Sequence, residues 1–396
     1  MTYRLADEHE ELRAIVRELA EEQIAPRAAA IDESAEFPWD LKELLARQDL
    51  LGTCFEERHG GTALDTIGQT IVAEEIARAD ATTSLIPIVQ KLGALPILSA
   101  GSDEQKDRYL PRLASGEWLI AFALTEAAAG SDVASNRMRA RLEGDGYVLN
   151  GSKRFITHGS VANVLTVFAL TDAEAGGRKG MSAFIVETET PGFAVARVEH
   201  KMGIRGSPTA ELTFDDVRVP VVNRLGDEGD GFRIAMETLD RSRLSIAAQA
   251  VGIAQGALDA AVAYAAGRKQ FGQRVADFQG IQFMLADMAS QTEAARQLTY
   301  AAAARVDAKA SDLPYWTSSA KLVAGDTAMR VTTDAVQVLG GYGYITEYPV
   351  ERMMRDAKIT QLYEGTQQIQ RLIIARQLLQ RAGVGARTSD RSETSA

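Results

Sequence analysis

The chain has 396 residues, enough for two or three domains. Its composition, 46% apolar and 24% charged, is that of a globular protein, and a net charge of −11 argues against a nucleic-acid binder or a polybasic membrane protein. The single cysteine, Cys54, has no partner for an internal disulfide, and the four histidines (His9, His59, His158, His200) are scattered without metal-ligand spacing, so no metal site is expected.

The N-terminus lacks an apolar h-region, so no secretory signal is expected and a reduced cytoplasmic setting is the default. Residues 1–118 read as a helical domain. Leu12, Ile15, Val16 and Leu19 fall on one helical face, and Pro26 then interrupts. Ser102-Asp103-Glu104-Gln105 reads as a capping box opening a helix through Leu110 and Leu113. Pro87 sits inside a helix-like run, which predicts a kink or break there.

From Trp118 the pattern turns to strands, and residues 119–226 read as a small β-barrel or sandwich domain. Leu119–Leu124 is a short apolar run. Met138, Ala140 and Leu142 alternate with arginines, and Gly144-Asp145-Gly146 signals a hairpin into Tyr147-Val148-Leu149. Further strands are expected at Val164–Leu170, Ala183–Glu187, Phe193–Val198 and Glu211–Phe214. Helical period returns from Phe232, and residues 227–383 read as a four-helix bundle with helices over 232–266, 276–308, 314–338 and 366–382. The apolar stretch Ser245–Ala266 is interrupted by Gln249, Gln255 and Asp259, which predicts a buried helix and not a stable membrane span. The polar tail 384–396 is expected to be disordered. The fold class is thus α+β, with a β domain between two helical ones, an order that favours a ligand at the domain junction.

Five segments look built for ligand contact. Phe122-Ala123-Leu124-Thr125-Glu126 continues into a small-residue loop through Ser131 and Asp132, exposing N–H groups and hydroxyls. Lys153-Arg154-Phe155-Ile156-Thr157 places an aromatic and a hydroxyl two apart, on one face of a strand, suited to a ring with heteroatoms. Arg268-Lys269-Gln270-Phe271-Gly272, with Gln279 nearby, falls between two long helices and offers a guanidinium to a diphosphate. Gln337-Val338-Leu339-Gly340-Gly341 permits close backbone approach past a helix end. Taken singly, these four also read as a strand exit, a half-buried strand, a basic helix C-terminus and a C-cap. The fifth, Tyr363-Glu364-Gly365-Thr366, sets a carboxylate at a break between helical segments, where a general base can be delivered to a cavity.

In this order, together with Lys201-Met202-Gly203-Ile204-Arg205-Gly206-Ser207 and Met353-Met354-Arg355-Asp356-Ala357-Lys358, the segments resemble the acyl-CoA dehydrogenase family over residues 5–381. The resemblance implies a helix–β–helix fold carrying FAD, a homotetramer in which a neighbouring subunit completes the flavin site, and a role in β-oxidation. It implies flavin contacts at Phe122, Leu124, Thr125, Ser131, Phe155 and Thr157. Arg268, Gln270, Phe271, Gln279, Gln337, Gly340 and Gly341 would reach the cofactor across the subunit interface, with Thr366 and Gln368 completing it. Many relatives carry tryptophan where this chain has Phe155. Ser131, Asp240, Arg243, Tyr363 and Gly365 would meet the substrate. Glu364 would take the Cα proton of an acyl-CoA thioester while a hydride leaves Cβ for flavin N5, forming the trans-2-enoyl-CoA, with an electron-transfer flavoprotein as acceptor. Some relatives place the base on the earlier helix; this chain has Arg243 there and keeps Glu364.

The acyl chain is expected to be short to medium, unsubstituted or methyl-branched. The segment Asp80–Lys91 matches the pocket-closing helix of similar proteins, with Ser84, Pro87 and Ile88 toward the tail, and no cation lies between Arg78 and Lys91 to pair a distal carboxylate. Two rival readings are a flavin oxidase on the same scaffold and a non-catalytic acyl-CoA-binding relative.

Overall fold

The computed structural model describes residues 5–384, so the tail beyond Val384, read above as disordered, lies outside the described residues. Six helices open the chain: α1 (Asp7–Leu19), α2 (Ala28–Ser34), α3 (Trp39–Arg47), α4 (Thr66–Ala79), α5 (Ala81–Ala100) and α6 (Asp103–Ala114). Side chains supply the orphan N–H groups at several starts. Asp65 accepts from the Gly68 N–H at 2.7 Å and Asp80 from the Thr83 N–H at 2.8 Å. The expected capping box is present, with Ser102 and Gln105 bonding each other's backbone N–H at 3.2 and 2.8 Å. The interruption at Pro26 is also found, as a π turn over Ala20–Ile24 and a 3₁₀ turn over Ala25–Arg27.

Pro87 does not break its helix. α5 runs through both Pro87 and Pro96, and every residue from Ala81 to Lys91 is buried. Packing on all sides outweighs the backbone bond each proline removes, an effect local propensity cannot register.

The middle of the chain forms one eight-stranded sheet. Its strands are β1 (Ile120–Ala123), β2 (Arg139–Glu143), β3 (Gly146–Thr157), β4 (Val164–Leu170), β5 (Met181–Glu187), β6 (Phe193–Val198), β7 (Thr209–Pro220) and β8 (Arg224–Leu225). They pair in the order β6-β7-β3-β2-β4-β5-β8, with β1 parallel to β4. A short helix, α7 (Gly176–Gly180), joins β4 to β5. The predicted hairpin joins β2 to β3, closed by Glu143 opposite Gly146, with Gly144 at φ 64°.

Four long helices follow, close to the expected ranges: α8 (Gly231–Gly267), α9 (Gln279–Asp307), α10 (Leu313–Leu339) and, after the short α11 (Val350–Ala357), α12 (Gln367–Arg381). A two-stranded ribbon, β9 (Lys269–Gln270) and β10 (Gln273–Arg274), links α8 to α9. α10 packs on α8, α9 and α12. The core of this bundle is not its own: buried Ala73, Ala77, Leu85 and Val89 from α4 and α5 join Ala247, Ala254 and Val331 in one cluster. Glycine makes that contact possible. A Cβ on Gly252 of α8 would lie 2.2 Å from the Glu74 carbonyl of α4, so only glycine lets the two backbones approach. Both α5 and α8 are long and apolar enough to cross a membrane by length and composition, and both are largely buried inside the fold.

A clamp fixes α11 against the sheet domain and the first helices. Arg355 bonds Asp32 at 2.6 and 3.0 Å, Glu351 at 2.7 Å and the Met202 carbonyl at 3.1 Å. Asp356 accepts from the Ile204 N–H. The Lys201–Ser207 and Met353–Lys358 segments thus meet each other, and α11 is anchored just before Glu364.

Candidate active site

After α11 the chain makes a 3₁₀ turn over Lys358–Gln361 and then breaks, placing Glu364 between helices as expected. The break is a pair of left-handed residues, Glu364 at φ 51° and Gly365 at φ 92°. A glutamate there is strained and persists only when its surroundings hold it. They hold it by its carbonyls. Gln370 Nε2 donates to the carbonyls of Glu364 and Gly365 at 3.2 and 2.9 Å, and the buried Lys321 ammonium donates to the Gly365 carbonyl at 2.7 Å and to Gln367 Oε1 at 3.2 Å. Thr366 caps α12 by accepting from the Ile369 N–H at 3.4 Å. With the carbonyls tied down, the Glu364 N–H has no acceptor among the described residues.

The Glu364 side chain reaches α8, where its carboxylate accepts a hydrogen bond from the Ser242 hydroxyl. Burial pushes its pKa up; the Ser242 bond and the positive charges of Arg243, Lys321 and Lys91 oppose that rise. Burial in turn pushes the Lys321 ammonium down to about 8. Tyr363 donates its hydroxyl to Gln249, whose Nε2 donates to the Ala81 carbonyl and Ser84 Oγ, both at 3.0 Å. Asp240 pairs with the buried Arg243, whose Nε has no partner among the described residues. The structure therefore gathers Glu364, Tyr363, Gly365, Asp240 and Arg243 at one place. Such a site can take a proton from carbon next to a carbonyl: a half-buried base, cations nearby, and an N–H beside it with no described acceptor.

The other predicted residues form two separate groups. At the edge of the sheet domain, Phe122 is half-buried against Phe168, ring centroids 5.0 Å apart, and Leu124 and Thr125 follow the end of β1. The loop beyond them is closed by Glu126, which accepts from the Arg137 and Met138 N–H groups at 2.7 and 3.0 Å and from the buried Lys153 ammonium at 2.8 Å. Ser131 is exposed on that loop. Phe155 and Thr157 end β3, but not by simple alternation. The β3–β7 register shifts between Lys153 and Ile156, and Phe155 adopts φ 59°. The period-two argument fails across this bulge; Phe155 is 58% exposed and Thr157 half-buried.

The second group lies at the far end of the bundle. Arg268, Gln270, Gly340 and Gly341 line one cleft of about 400 Å³ with Tyr264, Val338 and Tyr342. The Arg268 guanidinium carbon sits 5.2 Å from the Tyr342 ring centroid and makes no ion pair with a described residue, leaving its charge available to an anion. Phe271, 94% exposed, tips the β9–β10 ribbon at φ 50°; Gln279, Gln337 and Gln368 are exposed and do not line the cleft. Twenty-six residues of helix separate Ser242 from Arg268, roughly 39 Å at 1.5 Å per residue. One chain therefore does not bring this cleft to its own Glu364.

Sequence reasoning marked the segment Asp240–Arg243, which contains Ser242, but not the bond from Ser242 to Glu364, and it missed Gln249, Lys321 and Gln370. One signal was available: Lys321 is a lone cation between Ala320 and Leu322 in an alanine-rich helical run.

Known proteins agree with this architecture. Sequence models of the acyl-CoA dehydrogenase N-terminal, middle and C-terminal domains match residues 6–117, 121–217 and 229–379. The chain is 50% identical over 376 residues to the cyclohex-1-ene-1-carbonyl-CoA dehydrogenase of Geobacter metallireducens, covering 95% of this chain and 99% of that one. The butyryl-CoA dehydrogenase of Megasphaera elsdenii superposes with a TM-score of 0.93 at 44% identity, covering 96% of this chain and 100% of that one. A chain from a structure of the electron transferring flavoprotein of Acidaminococcus fermentans has the same TM-score at 45% identity and the same coverage. The chain belongs to the acyl-CoA dehydrogenase family. It is an oxidoreductase acting on acyl-CoA, in a family that depends on flavin.

Proposed function

We propose that the protein converts a short- to medium-chain acyl-CoA thioester to the trans-2-enoyl-CoA, with Glu364 as the base that removes the Cα proton. The observation that carries this is the Glu364–Gly365 turn: a half-buried carboxylate on strained backbone, its carbonyls held by Lys321 and Gln370, its N–H unengaged by any described residue. A thioester α-proton is a very weak acid, so the developing enolate oxygen needs preorganised donors. The free Glu364 N–H is one such donor. Burial makes the carboxylate a stronger base than an exposed glutamate, and substrate binding removes more water from it. Ser242 and the surrounding cations keep it ionised enough to act.

FAD is the proposed flavin. The residues present fit a dinucleotide: an unpaired arginine and two glycines open onto one cleft, and an exposed aromatic stands at the end of β3. Arg268, Gln270, Gly340 and Gly341 would hold its phosphates and ribose, with Phe271, Gln279 and Gln337 beside them. Phe155, Thr157, Phe122, Leu124, Thr125, Ser131, Thr366 and Gln368 would surround the ring system. When bound there, the flavin supplies the two-electron acceptor for the hydride leaving Cβ. The separation of roughly 39 Å between Arg268 and Ser242 along α8 is more than one dinucleotide spans, which supports an assembly of copies in which each cleft serves a neighbour's base; the assembly proposed is a homotetramer. An electron-transfer flavoprotein is the proposed acceptor, supported by the similar chain found in a structure of such a protein.

The test is an anaerobic titration with a panel of acyl-CoAs, following flavin absorbance, for the native enzyme and Glu364→Gln. The native flavin should bleach. The variant should retain flavin and bind acyl-CoA but lose nearly all turnover. Near-normal rates in E364Q would remove Glu364 from the reaction.

A further inference from the structure

Lys91 is only 9% exposed, in the middle of α5, and its ammonium has no hydrogen bond or ion pair with any described residue. Ser84, Pro87, Ile88 and Lys91 fall at i, i+3, i+4 and i+7, one face of the helix. That face is tied to the base loop at its upper end. Ser84 Oγ accepts from Gln249 Nε2 at 3.0 Å, and Gln249 accepts from Tyr363, the residue before Glu364. Seven residues further along, Lys91 stands about 10 Å down the same face. Burial is the largest influence on its ammonium and pushes the pKa down, with Cys54, Glu364, Asp307 and Arg241 the charges that act on it. An ammonium on a buried side chain with no bonded counter-charge, facing only the more distant Glu364 and Asp307, is expensive. No described carboxylate bonds it, so the missing partner is one that a ligand can supply.

We propose that Lys91 receives a carboxylate at the distal end of the acyl chain, making the preferred substrate class ω-carboxyacyl-CoA. This deepens the reading of Glu364 and rests on it. It also revises the expectation of an unsubstituted chain: the interval from Arg78 to Lys91 holds no cation inside it, but its closing residue is one, and it is turned to the face that carries Ser84 and Ile88. The competing role is that Lys91 only balances the charge of Glu364, which predicts no preference among chain ends.

The experiment is calorimetric binding of adipyl-CoA and hexanoyl-CoA, six-carbon chains with and without the carboxylate, to the flavin-loaded E364Q protein, which binds without turnover. The comparison is repeated with Lys91→Met and Lys91→Arg added. The expected result is adipyl-CoA bound about tenfold or more tightly than hexanoyl-CoA, the preference abolished by K91M and largely kept by K91R. Equal or weaker binding of adipyl-CoA, or a preference that K91M leaves intact, overturns the proposal. Should K91M fail to fold, the comparison of the two ligands with Lys91 in place decides alone. Flavin bleaching of the native enzyme is scored separately: if neither ligand bleaches it, the dehydrogenation reading fails while the binding ratio still tests Lys91.

Discussion

Ser242→Ala isolates one influence on the proposed base. It deletes the hydroxyl proton that the Glu364 carboxylate accepts and leaves the burial of that carboxylate in place. Burial raises the Glu364 pKa, and the Ser242 bond is the largest influence opposing it. A hydrogen bond to a charged group contributes about 1.5–3 kcal/mol, and about 1.4 kcal/mol corresponds to a factor of ten. Without it the carboxylate pKa rises further. The base acts deprotonated, so the limb on which activity climbs with pH must move to higher pH. Below that limb kcat/KM should fall about 10- to 100-fold, in proportion to the lost ionised fraction. Above it the base is ionised in both proteins, and the plateau should survive. The assay is kcat/KM against pH with a dye acceptor, alongside thermal unfolding to confirm an intact fold. A limb that stays in place, or a loss equal at every pH, would refute the idea that Ser242 sets this ionisation.

Two further perturbations test what holds the site. Lys321→Met removes the donor that fixes the Gly365 carbonyl and a cation beside Glu364; kcat and kcat/KM should fall together by about tenfold or more, with partial recovery in Lys321→Arg. Because Lys321→Met also strands the Gln367 Oε1 acceptor, stability should fall by about 1–3 kcal/mol, and a loss of stability with kcat intact would mark Lys321 as merely structural. Gly252→Ala drives a Cβ to within 2.2 Å of the Glu74 carbonyl, a backbone atom that cannot swing aside. Overpacking of this kind costs about 1–3 kcal/mol or more; denaturant titration showing a midpoint equal to that of the parent protein would mean that α4 and α8 separate freely.

Most of the scaffold was legible because its signals are local. The capping box at Ser102 and Gln105 needs only a three-residue spacing, and the hairpin at Gly144 needs only a turn between alternating runs. The long alanine-rich helices announced themselves by period. Pro87 signalled a break that is absent because a local rule met a segment buried from Ala81 to Lys91, and Phe155 with Thr157 misled because one bulge cancels the strand period on which the reasoning stood. Glu364 was singled out from its motif, and Arg243 and Tyr363 with it; the groups that bond the loop, Ser242, Lys321 and Gln370, were not named as its partners.

Those partners show where sequence stops. By itself the chain determined its elements, their order, and the break between helical segments at which Glu364 sits. Only the tertiary structure decided that Ser242, separated from Glu364 by 122 positions, bonds its carboxylate, that Lys321 holds the next residue's carbonyl, and that the cleft at Arg268 lies past the C-terminal end of α8, away from the base. The reason is physical. Helix period and turn preference come from interactions a few residues apart, which leave a pattern in the chain. A hydrogen bond across a bundle depends on how two helices cross, and that is fixed by the packing of the whole core.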